Sequence, residues 1–445
     1  MDKLLAARVR ELLRTRFVRD LSFAQAAQIA GLAFAFATSI LLVRHLGEDG
    51  YRDYALGIAL FLLLRIPCDP GLDGTVIPRL AEAASARDRR AAGHAVAYFT
   101  ILDLAGALVL PVLAYFAAAP VARWLGYAPV VGDLARILSL VGVAELAFRL
   151  ATVASQGLRE FKSYAILSTA SQVARFLLVL SGVLAGCWLT GMSWIYVGGA
   201  AAGSFCGTLA WRALARRNAD RMPGLLESLG TWKEVPFARH LRSGLAIWVA
   251  KNVPTLYELY PILLLGVFHP GDVTRYKIVF GLVSLPAVLL GPISQNTTVK
   301  LASEYGRRDR AAFERAFYKI TLGSLGVSAA LTLAFALASP LLLLAYGREY
   351  LTSLPLLLVM AIHPLTAGLG VAVAPFFRTI DRMGRLNALS TPIATVLLAA
   401  GFFLIREHGA WGAAILLVAL RLALRAAGFL AAVRVLRSGK AIPAA

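Results

Sequence analysis

Apolar residues along this chain gather into runs of about twenty, separated by short polar stretches, through nearly all of its 445 residues. A helix rising about 1.5 Å per residue needs about 20 such residues to cross a hydrocarbon core of about 30 Å. Lipid offers no hydrogen-bond partners, so a span must satisfy its own backbone, as a helix or as a strand of a closed barrel. The period-two alternation of barrel strands is absent. The pattern therefore predicts helical spans at 21–43, 51–79, 95–117, 134–155, 165–187, 194–215, 243–268, 275–299, 316–338, 354–377, 389–405 and 412–433. The expected fold is all-α, a polytopic membrane protein of about twelve transmembrane helices.

The same pattern repeats. Residues 79–100 read RLAEAASARDRRAAGHAVAYFT and residues 300–321 read KLASEYGRRDRAAFERAFYKIT. At a shift of 221, Leu80, Ala81, Arg87, Asp88, Arg89, Ala91, Ala95 and Thr100 meet Leu301, Ala302, Arg308, Asp309, Arg310, Ala312, Ala316 and Thr321. Leu167-Ser168-Thr169 and Leu389-Ser390-Thr391 match near the same shift, which is almost half the chain. A duplication of six spans keeps its orientation, so two pseudo-symmetric six-helix bundles around a central cavity are expected. The expected domains are an amphipathic segment 1–20, an N-terminal bundle 21–215, a basic connector 216–242, a C-terminal bundle 243–433 and a tail 434–445.

Charge sharpens this picture. The net charge is +20, but only 16% of residues are charged, against about a quarter in soluble proteins. Lys and Arg concentrate in every second loop and in both tails. The intervening loops hold Arg44, Arg123, Arg348 and Arg406. That is the positive-inside pattern, which accounts for the basic character without nucleic acid and puts both termini on the cytoplasmic side; the expected location is a bacterial inner membrane. The first twenty residues interleave Leu4, Leu5, Leu12, Leu13 and Phe17 with six basic residues, suited to anionic membrane lipid. Cys68, Cys187 and Cys206 show no paired spacing, so no disulfide framework or metal site is expected.

Two features mark where chemistry could sit. Helix-breaking residues recur at related depths: Pro67, Pro70 and Gly71 in the second span, Pro286, Gly291 and Pro292 in the eighth. Such matched interruptions are candidate hinges, and Pro254 and Pro261 add to them in the seventh span. Charges also lie inside spans, where each costs roughly 2.5–3.5 kcal/mol on insertion scales and so faces protein or water. Arg65, Asp69 and Asp73 are spaced four apart in the second span, and the seventh holds Lys251 and Glu258. Lys277 lies toward the outer end of the eighth. Glu145 with Arg149 is expected as a neutralising pair; Asp103, Arg175, Arg421 and Arg425 are expected to brace a bundle. Walker A, G-x-S-x-G, H-E-x-x-H and dinucleotide-glycine motifs are all missing, so no enzyme activity and no cofactor are expected.

Three segments carry a family resemblance: LLVRHLGEDGYRDYALGIALF (41–61), GLDGTVIPRLAEAASARD (71–88) and QGLREFKSYAILS (156–168), with LAYGREY (344–350) echoing them in the second half. In these the chain resembles the multidrug/oligosaccharidyl-lipid/polysaccharide exporter superfamily, and its polysaccharide-export flippases in particular. It departs at Glu48-Asp49, where the family often has Gly-Pro, at Arg52, and at Cys68-Asp69-Pro70. The resemblance implies alternating access and a polyprenyl-pyrophosphate-linked glycan as cargo, with polysaccharide-assembly proteins as partners. Pyrophosphate needs compensating cations once it leaves water. Arg65, Lys251 and Lys277 would supply them. Asp69, Asp73 and Glu258 would position those cations or carry a coupling H+ or Na+. The rival readings are a multidrug extruder of the same superfamily, whose cationic cargo suits an acidic cavity, a polytopic polymerase or ligase, and a membrane scaffold.

Overall fold

A computed structural model of the chain describes residues 16–306, 310–380 and 382–438, and among these it is helical throughout, without strands. Most of the expected amphipathic segment, the repeat positions Arg308 and Asp309, and the end of the tail lie outside the described residues. The chain divides into two compact units, Met1–Leu259 and Tyr260–Ala445.

In the first unit, α1 (Arg16–Arg65) folds back at Gly47 (φ 68) and so supplies the first span and the start of the second. A 3-10 turn (Ile66–Cys68) and α2 (Leu72–Ala86) complete the second span. The third is α3 (Arg89–Trp124). The fourth comes in three pieces, α4 (Pro129–Ser139), α5 (Val141–Ala144) and α6 (Leu146–Gly157), with a bend of 48°. The fifth and sixth are α7 (Phe161–Leu184) and α8 (Leu189–Arg217). After a short α9 (Leu225–Gly230), the seventh is α10 (Phe237–Phe268).

The second unit follows the same plan. The eighth span is α11 (Val273–Leu289) and α12 (Gly291–Gly306), interrupted at Leu290. The ninth is α13 (Arg310–Leu344). The tenth is again in pieces: α14 (Leu354–Met360), α15 (Ile362–Gly370) and α16 (Val373–Thr379). The last helix, α17 (Met383–Arg437), turns at Gly409 (φ 53) to give the eleventh and twelfth.

Length and apolarity alone mark only six helices as spans, or seven with the bent fourth. Two of the six are double spans folded at Gly47 and Gly409. The sixth, seventh and eighth fall short because they carry glycines, charges or a break. Twelve membrane-length segments result among the described residues.

The duplication is visible in the elements. Arg89 and Arg310, 221 residues apart, each open the third helix of their half. Asp69 and Leu290, also 221 apart, each stand at the break in the second. Near the turns, His45 Nε2 meets Cys187 O at 2.7 Å in one unit, and His269 Nε2 meets Arg406 O at 2.9 Å in the other.

Each unit has its own apolar centre. The first packs Leu72, Val76 and Leu80 against Tyr98, Phe99, Leu150 and Trp211. The second is aromatic, with Phe317 and Phe376 centroids 5.2 Å apart and Phe313, Phe377 and Phe429 around them.

Two expectations change. The division between units falls inside α10 rather than in the connector 216–242, because the first part of α10 packs into the first unit. Pro254 and Pro261 do not break α10, which runs unbroken from Phe237 to Phe268. The connector is also less open than its basic composition suggests. Acidic residues dock it on α3, through Arg89 Nη2–Glu227 Oε2 (2.7 Å) and Arg90 Nη2–Glu234 Oε2 (2.9 Å). The Arg90 hydrogen bond, helped by His94, holds the Glu234 carboxyl below its ordinary range. A lowered carboxyl pKa stabilises above the unfolded value and is lost as pH falls through the folded one. Protection of residues 225–235 against hydrogen exchange, relative to the intrinsic amide rate at each pH, should therefore fall below about pH 4.5, the ordinary Glu value. Unchanged protection there would show that these pairs do not hold the connector.

Candidate functional site

The second span is broken because Pro67 sits in its 3-10 turn, Asp69 is extended (φ −118, ψ 91) and Gly71 is left-handed (φ 71, ψ 34). A break frees backbone carbonyls that lipid cannot satisfy. Here the protein does so: Trp248 Nε1 on α10 donates to Ile66 O at 2.8 Å, and the Gly71 amide donates to Asp69 O at 2.8 Å. Gly71 is required twice over. Its positive φ disfavours a side chain, and a Cβ there would stand 2.7 Å from Gly244 O and 2.8 Å from Trp248 N. On the opposite side, the Cys68 carbonyl presses on Gly106 of α3, where any Cβ would collide with it. The broken second span is thus wedged between α3 and the start of α10.

That wedge gathers the charges. Lys251 Nζ lies 2.7 Å from Asp69 Oδ2 and 3.4 Å from Asp73 Oδ2. Arg149 Nη2 reaches Asp73 Oδ1 at 3.4 Å and Asp69 Oδ2 at 3.5 Å, while its Nη1 donates to the buried Asp103 Oδ1. Beside them, Glu145 accepts from two arginines, Arg65 Nη2 and Arg175 Nη2, each at 3.3 Å. Arg175 also lies over the Tyr196 ring, 4.7 Å from its centroid. Eight charged side chains from five spans of one unit form two groups. Arg65, Arg175 and Glu145 carry a formal +1. Arg149, Lys251, Asp69, Asp73 and Asp103 carry a formal −1. The set is neutral in total.

This arrangement answers several expectations. Asp69 and Asp73 do stand against Lys251. Asp103 and Arg175 do brace the bundle. Glu145 and Arg149 are not each other's partner, because the bend after Glu145 sends them to opposite groups. Nor does Arg65 pair with Asp69; the break turns the two residues apart. Arg65 and Lys251 are therefore not bare cations, and each already meets a carboxylate. Lys251 and Asp73 are the accessible members, with side chains 42% and 40% exposed; the Asp103 side chain is 3% exposed. The other expected residues are not in this cluster. Lys277 lies over the Phe280 ring, 6.0 Å from its centroid, in the second unit. Glu258 lies farther along α10, and Pro286, Gly291 and Pro292 flank the break at Leu290. Sequence reasoning missed Arg149 as the centre of the acidic group. Helical spacing paired Arg149 with Glu145 instead, and nothing in the sequence showed that the fourth span bends between them.

Removing a carboxylate that two arginines share leaves both undercompensated. Glu145→Gln should lower stability by about 3 kcal/mol, read as a fall in the unfolding midpoint of the purified protein. Tyr196→Phe, which removes one hydroxyl partner of Arg175, should cost about 1 kcal/mol. Equal losses in the two variants would contradict the shared-carboxylate arrangement.

A search of curated protein sequences finds no significant match. Among solved structures, an inward-facing multidrug resistance MATE family transporter of the MOP superfamily superposes with a TM-score of 0.73 at 14% identity, covering 95% of this chain and 100% of the other. Its outward-facing form gives 0.70 at 15% identity, covering 97% and 98%. A MOP superfamily transporter from Pyrococcus furiosus, described as having a binding pocket of reversed polarity that suggests a different function, gives 0.71 at 14% identity with 97% and 98% coverage. These likenesses establish the fold, twelve helices in two bundles. The model of the polysaccharide biosynthesis protein family matches residues 17–304, well over half of the sequence. With that match, the chain belongs to the polysaccharide biosynthesis protein family.

Proposed function

We propose that this membrane protein moves a polyprenyl-pyrophosphate-linked oligosaccharide from the cytoplasmic to the outer leaflet by alternating access. The observation that carries this reading is the family match, joined to buried charges whose arrangement suits an anionic headgroup better than a cationic drug. Arg65 and Arg175 share one carboxylate, so their group holds an excess positive charge inside the membrane. A planar guanidinium with unused donors suits a phosphate oxygen. Lys251 and Lys277 remain proposed contacts. Lys251 would have to exchange Asp69 and Asp73 for phosphate, and its exposure makes that exchange accessible.

The acidic group has a second role in this proposal. Asp69, Asp73 and Asp103 outnumber the cations they face by one, which suits uptake of a coupling proton or Na+. An inside-negative potential would itself favour outward movement of the anionic head, by about 2.3 kcal/mol per charge per 100 mV. The breaks at Pro67–Gly71 and Pro286–Pro292 are the proposed hinges, because a segmented span can bend without stripping a continuous hydrogen-bond ladder.

Export of a cationic drug is the rival, and the acidic group is what favours it. One experiment separates them. Cells lacking the protein should accumulate a lipid-linked saccharide on the cytoplasmic leaflet, and Arg65→Gln should restore less than about a tenth of wild-type flux at equal protein amount, the loss expected for one charge-assisted contact. Normal saccharide export in the deletion, with heightened sensitivity to a lipophilic cation, would establish the rival.

A further inference from the structure

The two units handle buried arginine in opposite ways. In the first, Arg149 is surrounded by Asp69, Asp73 and Asp103, and Glu145 stands nearby. Carried across the 221-residue repeat, those four acidic positions become Leu290, Ser294, Ser324 and Thr366, and Arg149 itself becomes Gly370. Every carboxylate is gone. The second unit nevertheless has an arginine in the corresponding space, brought by another helix. Arg425 of the twelfth span packs against Gly370, whose missing side chain leaves room for it: a Cβ there would touch the arginine stem at 3.4 Å.

The partners of Arg425 are neutral. Its Nη1 donates to His363 O at 2.5 Å and to Thr366 Oγ1 at 2.8 Å. No carboxylate pairs with it among the described residues. One turn away, Arg421 lies on the same helix face, and both arginines are within electrostatic reach of the His363 ring. That ring is 6% exposed, and its Nδ1 has no hydrogen-bond partner among the described residues. Ser324, at the repeat position of Asp103, is 3% exposed and its hydroxyl is likewise unpartnered among them.

We infer that Arg425, with Arg421, His363 and Thr366, forms an anion site in the second unit that takes a phosphate or pyrophosphate group. The reasoning is charge compensation. A guanidinium in a membrane interior is costly without a counter-charge, and the duplicated fold shows how this protein supplies one when it does so internally. Around Arg425 the repeat-related acids are replaced by Leu290, Ser294, Ser324 and Thr366, and the repeat-related arginine by Gly370. Those groups can donate to or make room for an anion, but they do not neutralise the cation. The buried imidazole adds an unused nitrogen beside it. This deepens the transport proposal and rests on it for the source of the anion; the site itself is tested without transport.

The test uses the full chain in nanodiscs of phosphatidylcholine. Inorganic pyrophosphate is titrated and the unfolding midpoint followed by intrinsic fluorescence. A parallel set of nanodiscs contains phosphatidylglycerol, to tell a lipid headgroup from a soluble phosphate. Wild type should be stabilised by pyrophosphate, or by phosphatidylglycerol with a blunted pyrophosphate response. Arg425→Gln should weaken the apparent affinity by roughly 10- to 100-fold. Thr366→Glu returns a carboxylate to the position it holds in the first unit. It should raise the ligand-free midpoint and abolish the response, which a merely structural arginine would not produce. A response of wild-type size in Arg425→Gln or in Thr366→Glu overturns the site, as does no response of wild type to either anion. If Arg425-dependent binding stands while cells lacking the protein accumulate no lipid-linked saccharide, only the transport reading fails.

Discussion

A charge inside a membrane must find its counter-charge within the protein, and that constraint organises the first unit. Arg149 and Lys251 meet Asp69, Asp73 and Asp103; Arg65 and Arg175 meet Glu145. The pairs run between spans, so they fix which spans are neighbours. Lys251 draws the start of α10 onto the break in the second span, and there Trp248 takes up a carbonyl that the break has freed. The break then becomes tolerable because its polar groups are used. Gly71, Gly106 and Gly244 let the backbones approach closely enough for this to happen. Ion pairs, helix break and small residues are therefore one structural device.

The second unit shares the plan of elements but not the electrostatics. It keeps the break at Leu290, the segmented tenth span and the turn at Gly409, with an aromatic centre of phenylalanines. Its repeat-related positions carry three hydroxyls and a leucine where the first unit carries acids. Duplication preserved the path of the chain while the two copies diverged in charge. Under the proposed transport of an anionic cargo, this asymmetry would have a use. A self-compensated cluster can exchange partners or take up an ion without leaving a bare charge, whereas an arginine facing only neutral groups offers a fixed attraction to phosphate.

Much of the fold was legible in the sequence, because hydrocarbon thickness and backbone satisfaction leave few choices. Runs of apolar residues gave the spans, and the shared motif at 79–100 and 300–321 gave the duplication. Pro67, Pro70 and Gly71 announced the break that the second span contains. The partnerships were not legible. Glu145 and Arg149 are four apart and would face one another on a straight helix, but the fourth span bends between them. Arg65 and Asp69 stand in the same relation across the 3-10 turn. Helical spacing predicts contacts only where the helix is regular, and charged sites in this membrane protein lie where it is not. The unit boundary was hidden for a related reason: α10 carries no break at Leu259, so only packing reveals that its first part belongs with the second and third spans.

The claim beneath all of this is that Arg149 and Asp103 hold one another rather than each finding an independent environment. A double-mutant cycle measures it directly, with Asp103→Asn, Arg149→Gln and the combined variant unfolded under identical conditions. The account predicts strong coupling, on the order of 2 kcal/mol, with the double variant losing much less stability than the two single losses added together. Additive losses would mean that the two side chains do not depend on each other, and the charge-compensated centre of the first unit would be wrong.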